Sequence, residues 1–336
     1  MKRVLLEDGG PFWDVPDGRI DLAASIPLPA PFTLLVEPTN VCNFKCPICP
    51  ESFSDYATQA GYYERMSRET WCHVADSMLG WCRLKVLRFY DVGEPLLNRD
   101  LHLMIAASRE FADRTEVTTN GSLLTPDLAR RLVASGLDYI RISVYGTSEE
   151  EYRRQTGVGH GPLRILQNVA DLRAARKNGK PHIHAELVTT ESGHEQEFVD
   201  QWGFLADSTS VKAMHTWGSS LVTLGEKPKK LVCPYPFYEL VVKANGDVTV
   251  CCVDWRNQLA VGNVNLESLR SIWEGPRLRE LQNVHLAGER SRLVACRGCN
   301  VPDTCPDDLD GMVGKRLDLP VHRSVTLGKE HGGLDR

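Results

Sequence analysis

The sequence predicts an α/β fold: a partial (β/α)6 barrel joined to a small C-terminal α+β domain. Two observations carry that prediction. Between residues 31 and 215, short β-rich runs alternate with capped helical segments, the pattern of a parallel sheet covered by helices. Near Trp217 the alternation stops, and a polar stretch gives way to a hairpin signal. The expected organisation is an N-terminal extension (1–30), the barrel (31–223), a smaller domain (224–310) and a tail (311–336).

The first strand is FTLLVEP (32–38), an apolar run leading into a cysteine-rich loop. The helix after it, 67–81, has Ser67 as N-cap and Trp71, Val74, Ala75, Met78 and Leu79 on one face. LKVLRFYD (84–91) is a strand and 98–112 a helix capped by Asn98. TEVTTN (115–120) is a strand; 125–136 is a helix with Thr125 as cap, Pro126 at its first position and Gly136 at its end. Strand 138–144, helix 162–178 ended by Gly179, strand 182–189, helix 194–206 and strand 210–215 complete six units. Eight units would close a full barrel, so six leave an open side for a substrate or the second domain. Residues 224–231 read as a linker. FYELVVKANGDVTVCC then gives two short strands around Asn245 and Gly246, followed by helices near 266–273 and 277–288.

Composition narrows the function. A chain of 336 residues, 42% hydrophobic and 25% charged, is ordinary for a globular protein. A net charge of −5 leaves no electrostatic footprint for nucleic acid or anionic membrane. No apolar run reaches the ~18 residues of a membrane span. The N-terminal MKRVLLEDGGPFWD has too short an apolar stretch for a signal peptide. Eleven cysteines without an export signal favour reduced thiols, metal ligation and a cytoplasmic location.

VEPTNVCNFKCPICPESF places Cys42, Cys46 and Cys49 in one short loop. A disulfide would use only two of them, under strain. Zinc accepts the spacing but needs a fourth nitrogen or sulfur ligand, and no His lies between Phe32 and Glu64. Three thiolates with the fourth place empty suit an iron–sulfur cluster that keeps one iron open. In βα folds the active site lies at the C-terminal ends of the strands. This loop, DVGEP (91–95), TNG (119–121) and SVYG (143–146) should therefore meet at one mouth. Gly93 would let the backbone approach a ligand, Glu94 offers a carboxylate to an ammonium, and Pro95 stiffens the turn.

Cys42-x3-Cys46-x2-Cys49 after the first strand, Gly-Glu-Pro after the second and the six-unit barrel resemble the radical S-adenosylmethionine (SAM) superfamily over roughly residues 31–217. The resemblance implies that Cys42, Cys46 and Cys49 hold a 4Fe–4S cluster whose open iron binds the amino and carboxyl groups of SAM. It places Ile48 against the adenine, and Val92, Gly93, Glu94 and Pro95 at the SAM ammonium. Val92 departs from the usual Gly-Gly-Glu-Pro. Asn120 and Ser143 are the further candidates for the SAM pocket. Cys233, Gly246, Cys251 and then Cys296-x2-Cys299-x5-Cys305 are similar to the SPASM and shorter twitch extensions. That likeness implies one auxiliary 4Fe–4S cluster on Cys233, Cys251, Cys296 and Cys299, with Cys305 in reserve. Zinc on the same four thiolates is the alternative.

The implied reaction is formation of a 5′-deoxyadenosyl radical that takes a hydrogen atom from a small polar substrate, sugar-like or another natural product, and leads to its oxidation. Epimerisation with Cys252 as hydrogen donor, or modification of a ribosomal peptide or protein, are alternatives. A non-catalytic electron carrier or zinc module is the rival from another class. Only about thirty residues precede the barrel, short for a leader-binding module. An external one-electron reductant of flavodoxin or ferredoxin type is expected. Cys72 and Cys82 read as packing residues, His182 and His184 as ordinary strand residues, and Tyr90 as a residue that can face the barrel interior.

Overall fold

The computed structural model describes residues 5–6, 20–47, 49–159, 161–189, 193–213 and 229–318. Its strands are β1 (Leu5–Leu6), β2 (Thr33–Val36), β3 (Val86–Phe89), β4 (Thr115–Thr119) and β5 (Tyr139–Val144). They continue with β6 (His182–Thr189), β7 (Ser208–Ala213), β8 (Glu239–Val242), β9 (Asp247–Thr249) and β10 (Gly262–Asn263). All lie in one sheet, in the order β1-β7-β6-β5-β4-β3-β2-β8-β9-β10. Strands β2 to β7 run parallel, neighbour beside neighbour, as expected for a partial barrel.

Alternation along the strands sorts side chains between two faces. Leu34, Val36, Leu87, Phe89, Val117, Ile140 and Ile142 turn outward into one apolar core. The helices that cover them are α3 (Arg68–Met78), α4 (Leu101–Ser108), α5 (Pro126–Ala134), α7 (Pro162–Ala175) and α8 (Glu195–Trp202), preceded by short α1 (Leu22–Ser25) and α2 (Tyr56–Ala60). α3 contributes Val74 and Met78, α7 Ile165 and Val169, and α8 Phe198 and Trp202, none of them more than marginally exposed. The caps expected at Ser67 and Thr125 form: each side chain accepts from the backbone N–H three residues on.

Some boundaries differ for tertiary reasons. Asn98 stands two residues ahead of the cap position Asp100: its Oδ1 accepts from the Asp100 N–H at 3.0 Å, its Nδ2 donates to the Pro38 and Met66 carbonyls at 2.8 and 3.1 Å, and α4 begins at Leu101. α7 stops at Ala175, short of Gly179, because Arg176 leaves the helix to bond Asp207 and the Gly179 and Pro181 carbonyls. α6 (Glu149–Thr156) was not expected; its signals are polar, with Ser148 as cap, three glutamates in the first turn and Gly157 at the end with φ 71°.

Beyond residue 229 the expected hairpin forms as β8–β9, and it also extends the barrel sheet. β8 runs parallel to β2, in register from Thr33↔Glu239 to Val36↔Val242. A partial barrel leaves β2 with an unpaired edge, and β8 satisfies it. Then come α9 (Leu269–Trp273) and α10 (Pro276–Leu286), with Trp273 Nε1 bonded to the Leu28 carbonyl at 3.0 Å. The end of the expected strand at 214–215, the start of the linker at 224–228 and the tail from 319 lie outside the described residues.

Candidate active site

The loop after β2 is folded by its own polar groups. Asn40 Oδ1 accepts from Glu64 N and its Nδ2 donates to the Tyr62 carbonyl, both at 2.8 Å. Glu51 accepts from the Cys42 N–H at 3.1 Å and from Lys45 Nζ at 2.6 Å. Cys42, Cys46 and Cys49 stand close enough that each thiol feels another of the three. The Phe44 N–H points at Cys42 Sγ at 3.4 Å, and the Tyr145 hydroxyl bonds to Cys46. Burial pushes all three thiols up to about 12. Such thiols ionise only when a cationic group enters and takes over the charge. Ile48 lies outside the described residues.

Gly93 brings the loop after β3 against this one. A Cβ there would stand 2.1 Å from the Thr39 carbonyl oxygen and 2.8 Å from Asn40 backbone atoms. The close approach that requires glycine is thus between two loops of the chain. Val92 turns its side chain into a small apolar cluster with Tyr56, Ala60 and Trp255. Pro95 opens a short 3-10 turn. Glu94 is 2% exposed. Its Oε1 accepts from Leu96 N at 3.0 Å and Thr119 Oγ1 at 2.6 Å, and its Oε2 from Asn120 N at 2.8 Å. Asn120 Nδ2 reaches Asn43 Oδ1 at 3.0 Å, and Asn43 Nδ2 reaches Ser122 Oγ at 2.9 Å. The ends of β2, β3 and β4 are so tied into one mouth. Burial pushes Glu94 up to about 7 against these three hydrogen bonds. Ser143 sits half-buried near the end of β5, opposite Glu186.

A second group of thiols lines a cavity beyond β9. Cys233, Cys251, Cys296 and Cys299 share its wall with His285 and Arg290. Burial raises the pKa of all four, with Cys296 pushed up to about 12. Arg290 is buried; its guanidinium donates to the carbonyls of Lys230, Cys296 and Cys299, at 2.9 to 3.4 Å. Cys305 is not among the lining residues; its neighbours are Tyr238 and Asp307. Among the described residues, no three Cys, His, Asp or Glu side chains converge as a single ion requires. Tetrahedral zinc would draw its thiolates to within roughly 4 Å of one another.

Between the two thiol groups lies the inner face of the sheet, which is charged. Arg88 Nη1 meets Glu239 Oε2 at 3.0 Å across β2, with Glu116 at 3.5 Å, and Arg141 meets Glu186 at 3.3 Å. Tyr90 lies among Arg88, Arg141, Glu239 and Cys252. His182 and His184 bond to Ser208 and Ser210 and stack on Tyr139, so they are held as strand residues. Asp91 and Lys243 form a fully buried ion pair. Glu37 completes this knot, accepting from Tyr62 Oη at 2.5 Å and Ala244 N at 3.1 Å. Burial opposes the charge on Lys243, yet Asp91, Glu37 and Asp254 together hold it above its ordinary range. Cys251 and Cys252 lie in the turn past β9. Cys251 faces the other three thiols, whereas Cys252 lies near Glu239, Asp91, Lys243 and Arg88. Cys72 is exposed on α3 and Cys82 half-buried, so only Cys82 packs as expected.

Comparison with known proteins matches residues 36–191 to the radical SAM superfamily and residues 233–300 to the SPASM iron–sulfur cluster-binding domain. The chain carries a radical SAM domain followed by a SPASM domain. It is 30% identical to the PqqA peptide cyclase of Ruegeria pomeroyi over 153 residues, which cover 45% of this chain and 39% of that one. It is 22% identical to the S-adenosyl-L-methionine-dependent 2-deoxy-scyllo-inosamine dehydrogenase of Niallia circulans over 268 residues, 79% of this chain and 91% of the dehydrogenase. The fold is similar to that of BtrN in complex with AdoMet and 2-DOIA, with a TM-score of 0.56 at 19% identity over 80% of this chain and 92% of BtrN. It is likewise similar to Streptococcus suis SuiB bound to the precursor peptide SuiA, with a TM-score of 0.61 at 15% identity over 83% and 73% of the two chains.

A radical SAM domain with a SPASM domain takes SAM and 4Fe–4S clusters, one of them auxiliary. The residues present fit both. Three thiols, that of Cys46 buried and those of Cys42 and Cys49 half-buried, share one loop at the mouth, and four line a separate cavity whose wall holds a buried cation. At Glu94, the residue expected at the SAM ammonium, Oε2 has a single intramolecular donor and so retains acceptor capacity for an ammonium. Glu94→Gln is expected to weaken SAM binding by about tenfold or more while leaving iron content unchanged, since a charge-assisted bond is lost. Free Glu94 is protonated below about 7, so wild-type SAM affinity should rise as pH climbs through 7. The variant should be flat over that range; equilibrium binding at pH 6 to 8 checks both.

Several groups were not foreseen: Tyr145 at Cys46, the Asp91–Lys243–Glu37 knot, and His285 and Arg290 at the second thiol group. Lys243 did have a signal, a lone cation closing the apolar run ELVV. His285 and Arg290 had none, because their partners lie far off in sequence.

Proposed function

We propose that the chain is a cytoplasmic dehydrogenase of a small polar, sugar-like substrate, bound on the inner face of the sheet between the two cluster sites. The observation that carries the proposal is the unsatisfied polarity of that face. Asp91 Oδ1, Arg141 Nε and Glu239 Oε1 are buried side-chain atoms without a hydrogen-bond partner. Buried polar atoms are nearly always paired, and a polyhydroxylated ligand supplies donors and acceptors for all three. The similarity to 2-deoxy-scyllo-inosamine dehydrogenase along most of its length supports the same class.

When bound, the cofactors would supply one-electron cleavage of SAM, hydrogen-atom abstraction by the 5′-deoxyadenosyl radical, and uptake of the substrate's remaining electron by the auxiliary cluster as the substrate's second proton leaves to solvent. The protein binds and orients. Arg88 and Arg141 offer donors to substrate oxygens, Glu239 accepts from hydroxyls, and Glu94 anchors the SAM ammonium. An external one-electron reductant, of flavodoxin or ferredoxin type, starts each turnover.

Epimerisation is the second reading, favoured by the place of Cys252 beside Tyr90 and Glu239. Peptide modification, the chemistry of the cyclase relative, ranks behind it. The test is incubation of the reconstituted protein with candidate deuterated sugars and amino-cyclitols. Deuterium should appear in 5′-deoxyadenosine, and the product should be two electrons more oxidised. Cys252→Ala should leave product formation within about twofold. A redox-neutral product carrying solvent deuterium, lost in Cys252→Ala, would replace dehydrogenation by epimerisation.

A further inference from the structure

His285 stands in the wall of the cavity formed by Cys233, Cys251, Cys296 and Cys299, and its ring is fixed by one bond. The Cys233 backbone N–H donates to Nδ1 at 3.3 Å. Nδ1 must therefore carry the lone pair, which in a neutral imidazole leaves the hydrogen on Nε2. That hydrogen has no acceptor: Nε2 is buried and without a partner, and the residue is 1% exposed. Arg290, the other polar residue of the wall, differs; its donors are directed to the carbonyls of Lys230, Cys296 and Cys299. The same geometry excludes His285 as a metal ligand, because the nitrogen left over carries hydrogen and has no lone pair to give.

We infer that His285 donates an Nε2–H hydrogen bond to a sulfur of the auxiliary cluster and thereby makes that cluster a better electron acceptor. The inference rests on the assignment of the cluster to these four thiols. Reduction adds negative charge to the cluster, and a hydrogen bond to sulfur stabilises the reduced state more than the oxidised one. His285 is thus a positioning and tuning residue that need not touch substrate.

The test uses the full chain with Cys42, Cys46 and Cys49 replaced by alanine, so that the auxiliary cluster alone is observed. About four irons per chain in this background checks the cluster assignment independently of His285. Redox titration followed by electron paramagnetic resonance then compares His285 with His285→Leu, His285→Asn and His285→Gln. Asparagine retains an acceptor near the position of Nδ1 for the Cys233 N–H, whereas glutamine places a donor near the position of Nε2. The expected result is at least a tenfold change in the oxidised-to-reduced ratio at fixed potential for leucine and asparagine, about 59 mV downward for one electron. Glutamine should restore most of it. Equal potentials in all four proteins would overturn the inference. So would loss of iron in the leucine variant that asparagine reverses and glutamine does not, since that pattern assigns His285 to the Cys233 backbone alone.

Discussion

Replacing Cys42, Cys46 and Cys49 together by alanine is expected to halve the iron, from about eight to about four per chain, and to abolish formation of 5′-deoxyadenosine. The three thiols stand together in a pocket of low polarity, where each is pushed up to about 12. Glu51, the nearest carboxylate of the loop, is committed to Lys45 and to the Cys42 and Tyr63 donors, so it is not free to replace a lost ligand. The four thiols of the second group, Cys233, Cys251, Cys296 and Cys299, use none of these residues and should keep their own iron. Iron analysis and quantitation of 5′-deoxyadenosine under dithionite check the outcome. Residual SAM cleavage in the triple variant would refute the assignment.

Lys243→Met should cost about 3–5 kcal/mol of stability, the typical result of removing one partner of a buried ion pair. Lys243 and Asp91 are 0% and 1% exposed in their side chains, and Glu37 lies in the same knot. Without the ammonium, Asp91 is left as a buried charge. Its protonation relieves the strain, so the deficit should be largest at high pH and shrink as pH falls. The double variant Lys243→Met with Asp91→Leu removes both charges and should recover most of the loss. Urea midpoints at pH 6 and pH 8 for the three proteins provide the measurement. A single variant as stable as the parent at both values would show that the pair contributes nothing.

The barrel and both cysteine groups were legible in the sequence because their signals are local. Hydrophobic periodicity, caps such as Ser67 and Thr125, and thiols three and two residues apart need no knowledge of distant residues. What was not legible depends on partners brought from afar. Asn98 reads as the helix cap, yet its Oδ1 turns the chain at Asp100 one step before the helix while its Nδ2 ties that turn to Pro38 and Met66. Gly93 looks like a ligand contact until the Thr39 carbonyl fills the space above it. Val92, a departure from the expected glycine, gains its reason from Trp255, more than 160 positions away, which packs in the same cluster. The charge of the inner face was invisible for the same reason: Arg88 reads as one polar position in an apolar strand until Glu239 arrives from β8.

The pairing of β8 with β2 bears on how such a protein can be cut or recombined. The strand that leads to Cys42 and the hairpin that leads to Cys251 are adjacent rungs of one ladder, about 4.8 Å apart. Backbone hydrogen bonds between β2 and β8 therefore hold the strand before Cys42 and the hairpin before Cys251 at a fixed spacing. A fragment ended before Glu239 would leave one edge of Thr33–Val36 unpaired, with β3 alone beside it, an open template for a second copy to dock on. Chimaeras that graft another auxiliary-cluster segment onto this barrel must carry a matching β8 with it, in the register Val36↔Val242. A junction placed at the sequence boundary alone would yield aggregates rather than a new enzyme.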